Sequence, residues 1–249
     1  MTMERWFHRC DELLSRIQAT QAASLRRAAE LIAEAAQAGG GLHIYNTGHC
    51  SHEPIHRAGG LAMITPLQFS LTVDSHSAPQ RKEAAAERAR QSRPATDETV
   101  AAAALARSGL APGDVLIVNS VSGKAASVVE VALAAQRLGA KVVAITNVSY
   151  SAAVESEHHT GKHLYEVADV VIDNCGVVGD AALDVEGLDT RVAPTSGLTF
   201  CYIIWALISE AVARMLGRGL KPSVYRSVNL PDGADFNARA EAQYRATGV

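Results

Sequence analysis

The chain is poor in several residue types, and each shortage removes a class of protein. It has four cysteines in 249 residues, Cys10, Cys50, Cys175 and Cys201, and no two form a CxxC pair. Widely spaced thiols fit a reduced, cytoplasmic protein rather than a disulfide scaffold. Aromatic residues are only 5% of the chain, which suits small-residue helices packed closely on a sheet. Positive charge is scarce too: the formal net charge is −3, and the lysines and arginines are scattered rather than striped. That argues against a nucleic-acid partner. The opening MTMERWFHRCDELL is too charged to read as a signal peptide. No long hydrophobic run goes uninterrupted. The longest, Leu198–Leu216, is broken by Ser209, Glu210 and Arg214, so it reads as a buried helix with no membrane role.

What is present is a core. Hydrophobic residues make up 48% of the chain, enough for one α/β domain spanning 1–249. The stretch VLIVN (115–119) is apolar on both faces, as a central strand of a parallel sheet must be. It runs into Ser120-Val121-Ser122-Gly123-Lys124 and then a helical pattern, Ala125–Leu138, closed by Gly139. The remaining strands read as Leu42–Asn46, Leu61–Leu67 (an edge, because of Pro66), Lys141–Thr146 and Val167–Asp173. Strands alternating with helices predict a doubly wound, five-stranded parallel sheet. Residues 1–40 form a helical extension ahead of it, as one long helix or two that part near Thr20. Residues 68–98 read as a helix-containing excursion, with Thr96 capping a helix to Arg107. Residues 174–194 are acidic and aperiodic and, at the carboxyl end of the sheet, are placed to border a pocket; solvated carboxylates are the reading preferred there over a divalent-cation site. Residues 220–249 read as an irregular arm ending in a short helix.

Three places combine hydroxyls with the start of a helix. These are Ser120/Ser122/Gly123, the turn Thr47-Gly48-His49-Cys50-Ser51 after the first strand, and Thr195/Ser196 ahead of Leu198–Leu216. The first N–H groups of a helix have no intrahelical partner and carry the positive end of its dipole, so such places attract anions. A serine-rich N-cap with no ligand is the competing reading. The turn after the first strand also holds His49, His52, Glu53 and His56. If a helix begins there, His49/Glu53 and His52/His56 share faces at i, i+4. Acid/base chemistry, metal chelation and a solvated polar face compete for these groups. No spacing among them matches an established zinc signature.

Taken together, Gly48-His49, Arg57-Ala58-Gly59-Gly60, Ser120-x-Ser122-Gly123, Leu164–Asp169, Asp173–Gly176 with Gly179–Ala181, and Pro194-Thr195-Ser196 resemble the SIS (sugar isomerase) phosphosugar-binding domain, in its stand-alone, phosphoheptose-isomerase-like form. The resemblance covers roughly residues 3–235. It implies flavodoxin-like strand order, a homodimer or homotetramer, and a sugar phosphate as ligand, with no cofactor and no metal. Carried over by position, Ser120, Ser122 and Gly123 match the phosphate loop, Thr195 and Ser196 complete it, and Thr47, Gly48, Cys50 and Ser51 line the first turn. Lys124 is placed to steer the phosphate by its charge. One departure is visible: Cys50 stands where a serine is expected, and a thiol is the weaker donor. The implied reaction is aldose–ketose isomerisation through an enediol, which needs a base and a hydroxyl-proton shuttle. Glu53 is the expected base, His49 the shuttle and His56 the next candidate. An etherase-like lyase acting on an N-acetylated sugar phosphate, or a non-catalytic sensor, are the alternatives.

Overall fold

The structure, a computed structural model, describes residues 1–50, 52–73 and 78–249. In chain order the elements are α1 (Thr2–Gln37), β1 (Leu42–Asn46), β2 (Ile64–Pro66), α2 (Pro79–Leu105), β3 (Val115–Asn119), α3 (Ala126–Arg137), β4 (Lys141–Thr146), α4 (Val148–Ala152), α5 (Leu164–Val167), β5 (Val170–Asp173), β6 (Ala181–Leu183), β7 (Val192–Pro194), α6 (Ser196–Gly217) and α7 (Gly233–Thr247). The main sheet is parallel throughout with order β2-β1-β3-β4-β5. This is the flavodoxin-like order that the SIS resemblance implies.

Strand alternation explains why β3 and β4 are apolar on both faces. Val115 and Ile117 of β3, with Val143 and Ile145 of β4, face a core formed with α1 and α6. Leu116 and Val118, with Val142 and Ala144, face a second core formed with α2, α3 and α5. Every one of these side chains is buried, so the period-2 geometry of a strand fills two cores from one run of sequence. α6 is long and apolar enough to cross a membrane by composition alone. Here Phe200, Ile203, Ile204, Leu207 and Ile208 of that helix are buried in the first core. Between α1 and α6, Glu30 receives both Arg214 and Arg218.

Several local expectations change. The N-terminal segment is one helix of 36 residues with no break at Thr20. The helix expected after β1 is absent: residues 52–60 are turns and bends. Pro54 removes an N–H and disfavours the α region for the residue before it, and Cys50 and His56 have φ of 56° and 48°. His49/Glu53 and His52/His56 therefore share no helix face. Residues 79–105 are a single helix that passes through Pro94, so Thr96 caps nothing. The aperiodic stretch 174–194 contains the antiparallel pair β6–β7. The C-terminal arm carries a 15-residue helix.

At the amino ends of the strands a buried pair, His43 Nε2 and Asp114 Oδ2 at 3.0 Å, ties β1 to the turn before β3. Asp114 also accepts from the backbone of Gly41 at 2.6 Å and of Ala111 at 2.8 Å. That end is closed by hydrogen bonds; the opposite end is open.

Candidate functional site

The strand order reverses between β1 and β3, and open α/β sheets place ligands at the carboxyl ends of strands at such a point. A cleft of about 280 Å³ lies there, lined by Thr47, Gly48 and His49 from β1's exit, Ser120, Val121 and Ser122 from β3's exit, Tyr150 of α4, and Gly179 and Asp180 ahead of β6. A larger hollow of about 680 Å³ lies between the stacked Tyr45 and Phe69 rings and one face of α2. Its lining is mostly apolar and lacks the hydroxyl-bearing turns.

Each wall of the small cleft is set by backbone geometry. Asn46 and Asn119 are register partners at the ends of β1 and β3. Asn119 Nδ2 donates to Asn46 Oδ1 at 2.9 Å, and the Gly48 N–H donates to the same oxygen at 2.9 Å. A Cβ at Gly48 would lie 2.7 Å from Asn119 Nδ2, so only glycine fits. On the β3 side, the carbonyls of Val121 and Ser122 are taken by Thr146 Oγ1 at 3.1 Å and Ser151 Oγ at 2.6 Å. Gly123 turns at φ 56° against Leu164, Thr146 and Ser151. These bonds fix the loop's backbone. The hydroxyls of Ser120 and Ser122 have no hydrogen-bond partner among the described residues.

The third hydroxyl cluster is different. The backbone N–H groups of Thr195 and Ser196 donate to Asp180 Oδ1 at 3.0 and 2.8 Å. Ser196 Oγ donates to Asp180 Oδ2 at 2.6 Å, and His49 Nε2 stands 3.9 Å from the same oxygen. The start of α6 thus does bind an anion, and that anion is the chain's own carboxylate. Asp180 sits at φ 68°, a conformation tolerated by aspartate but costly for most residues.

The expected site residues divide accordingly. Thr47, Gly48, His49, Ser120 and Ser122 line one cleft; Gly123 shapes it from behind; Thr195 and Ser196 reach it through Asp180. Glu53 does not line it. Its carboxylate accepts from Trp205 Nε1 at 3.0 Å and from Arg57 Nη1 at 2.6 Å. His56 packs edge-on against Tyr225. Lys124 pairs with Glu157 at 2.8 Å, outside the lining. Cys50 is exposed beside Gly197. Across from it, burial and then the neighbouring Cys50 and Glu53 push the Cys201 thiol up to about 11. Ser51 lies outside the described residues. Sequence reasoning did not single out Tyr150 or, above all, Asp180, whose stretch it set at the border of a pocket but whose carboxylate it read as solvated. No periodic signal marks a residue whose role depends on a turn and on a helix some fifteen residues later.

The profile of the SIS domain matches residues 5–147. The chain belongs to the SIS domain family. Among SIS relatives, a UPF0309 protein of Shouchella clausii is 33% identical over 238 residues, covering 94% of this chain and 93% of its own. A UPF0309 protein of Streptomyces coelicolor is 34% identical over 236 residues, covering 94% and 91%. Two solved structures are similar in shape. The phosphoheptose isomerase of Neisseria gonorrhoeae has a TM-score of 0.51 at 16% identity, covering 86% of this chain and 98% of its own. That of Francisella tularensis has a TM-score of 0.52 at 13% identity, covering 85% and 96%. At such identities the likeness is one of fold.

Proposed function

We propose that this SIS protein binds a sugar phosphate in the cleft between the exits of β1 and β3. The observation that carries the reading is the pair of hydroxyls at Ser120 and Ser122, without a hydrogen-bond partner among the described residues, facing the turn Thr47–His49 across the switch point of the sheet. No lysine or arginine lines the cleft among the described residues. A phosphate held there relies on hydroxyl and N–H dipoles, as anion-binding turns commonly do. The sugar then extends toward His49, Tyr150 and Asp180.

The reaction we assign to the cleft is aldose–ketose isomerisation. It requires a carboxylate and a proton shuttle within reach of adjacent carbons. The cleft supplies a carboxylate and an imidazole, Asp180 and His49, 3.9 Å apart. Glu53, engaged by Trp205 and Arg57, is a positioning residue in this arrangement: it holds the turn that carries His49 against α6. The hydrogen bonds that saturate Asp180 favour a second reading, a sensor that binds without turnover. Assembly as a homodimer or homotetramer is part of the proposal.

The test is calorimetry with a panel of sugar phosphates, alongside solvent-deuterium exchange at C1 and C2 of each. Binding weakened several-fold by Ser122→Ala, with exchange abolished by His49→Ala, is the expected result. Binding without exchange makes the protein a sensor. If no sugar phosphate binds, or Ser122→Ala binds as the parent does, the cleft is not the site.

A further inference from the structure

Away from the cleft, four side chains from three segments converge. Glu98 comes from the second half of α2, Glu130 from α3, and His158 and His159 from the turn between α4 and α5. His158 Nε2 lies 3.1 Å from Glu130 Oε2 and 4.0 Å from Glu98 Oε1. His159 Nδ1 lies 2.7 Å from Glu98 Oε2. One ligand atom each from Glu98, His158 and His159 falls within 4.8 Å of the other two. The His158 side chain is 0% exposed, and those of Glu130 and Glu98 are 9% and 16% exposed.

We propose that this cluster is a site for a first-row divalent cation of the zinc type, held by His158 Nε2, His159 Nδ1 and the carboxylate of Glu98, with Glu130 beside His158. The donor set points to that class: two imidazoles and one carboxylate suit tetrahedral zinc, whereas calcium and magnesium take oxygen ligands almost exclusively. The spacing is of the right order. Ligand atoms each about 2.1 Å from one tetrahedral ion lie roughly 3.4 Å from one another, so the closest pair here need open by less than 1 Å. Charge agrees as well. Two carboxylates face the single guanidinium of Arg137, which pairs with Glu130, and two imidazoles that are neutral when they act as ligands.

The surroundings are those of a held ligand set. His158 Nδ1 has Thr160 Oγ1 at 2.8 Å and accepts the Thr160 backbone N–H at 3.3 Å; a bound ion on Nε2 would set the tautomer in which Nδ1 carries the proton and donates to that hydroxyl. Glu98 Oε1 is fixed by the backbone N–H of His159 at 2.9 Å. Three protein ligands and a water complete a tetrahedral site. It has something to hold: α2 is 27 residues long, yet Ala101 and Leu105 are its buried residues. The ion would pin that helix to the segment whose Ser151 and Leu164 back the Ser120–Gly123 loop. The inference is independent of what the cleft binds.

The experiment uses the full chain, stripped with a chelator and titrated with Zn²⁺ alone against a colorimetric zinc indicator. Co²⁺ substitution is followed by visible absorption. One Zn²⁺ per chain at submicromolar Kd, intense tetrahedral Co²⁺ bands, and a melting-temperature rise of roughly 5–10 °C at a hundred-fold excess over Kd are expected. His159→Ala, which alters an exposed ring, and Glu98→Gln should each weaken Zn²⁺ by at least about ten-fold. The triple variant His49→Ala, His52→Ala, His56→Ala should leave Zn²⁺ affinity unchanged. Absence of stoichiometric Zn²⁺ binding overturns the proposal. So does affinity that survives His159→Ala and Glu98→Gln but is lost in the triple variant.

Discussion

Asp180 Oδ2 accepts the hydroxyl proton of Ser196 at 2.6 Å while Asp180 Oδ1 takes the backbone N–H groups of Thr195 and Ser196. The amino end of α6 is therefore an anion site that the chain fills itself. Replacing Asp180 by alanine leaves the Ser196 N–H and hydroxyl without their acceptor, while the Thr195 N–H keeps the main-chain carbonyl of residue 180, at a cost of about 1–3 kcal/mol, or roughly 2–12 °C in melting temperature for a chain of this size. Inorganic phosphate should restore more stability to Asp180→Ala than it adds to the parent. Equal phosphate effects on the two proteins would mean that the helix start takes no external anion.

Ser120 and Ser122 should behave in the opposite way. Their hydroxyls have no internal partner among the described residues, so Ser120→Ala and Ser122→Ala should leave the melting temperature nearly unchanged. Each should weaken sugar-phosphate binding by about 0.5–1.5 kcal/mol, or two- to ten-fold in Kd by calorimetry. A fall in stability with no change in affinity would count against the site.

Gly48 sits where a Cβ would come within 2.7 Å of Asn119 Nδ2. Gly48→Ala must push Asn119 off Asn46, so we expect a loss of about 1–3 kcal/mol in denaturant unfolding and loss of ligand binding along with it. A variant that keeps full stability would show that the asparagine pair does not shape the turn.

Acid should loosen the molecule at Asp169 and Glu30. Burial works to raise the Asp169 carboxyl, but the Lys141 ammonium at 2.8 Å, the Val142 N–H and Gln136 outweigh it and hold it below the ordinary value. Glu30 is lowered first by its bond from Arg214. A carboxyl whose folded pKa is depressed contributes stability that is present above the unfolded pKa and lost as pH falls through the folded one. Stability should therefore decline below about pH 4. Asp169→Asn should flatten that decline in melts run from pH 7 to 3; an unchanged slope would remove Asp169 from the account.

The thiols should react unequally. Cys201, raised to about 11 by burial and then by Cys50 and Glu53, stays protonated at neutral pH and should be alkylated slowly. Exposed Cys50 should label first, as read by peptide mass spectrometry at pH 8. Faster labelling at Cys201 would show that the turn after β1 does not pack on α6 as described.

The parallel sheet was legible in the sequence because its cause is local. Val115–Asn119 and Val142–Thr146 are buried along their whole length, as a strand covered on both sides is. Ser120, Ser122 and Gly48 were legible for the same reason, as small residues where a strand ends. The tertiary structure alone decided what those turns face. The chain near Glu53 turns at Pro54 instead of forming a helix, so the carboxylate expected beside His49 is held by Trp205, and Asp180, far along the sequence, stands there instead. Glu98 likewise meets His158 and His159 some sixty residues away. Periodicity reports which side of an element is apolar. Which charge ends beside which is set by the crossovers and turns that bring distant segments together.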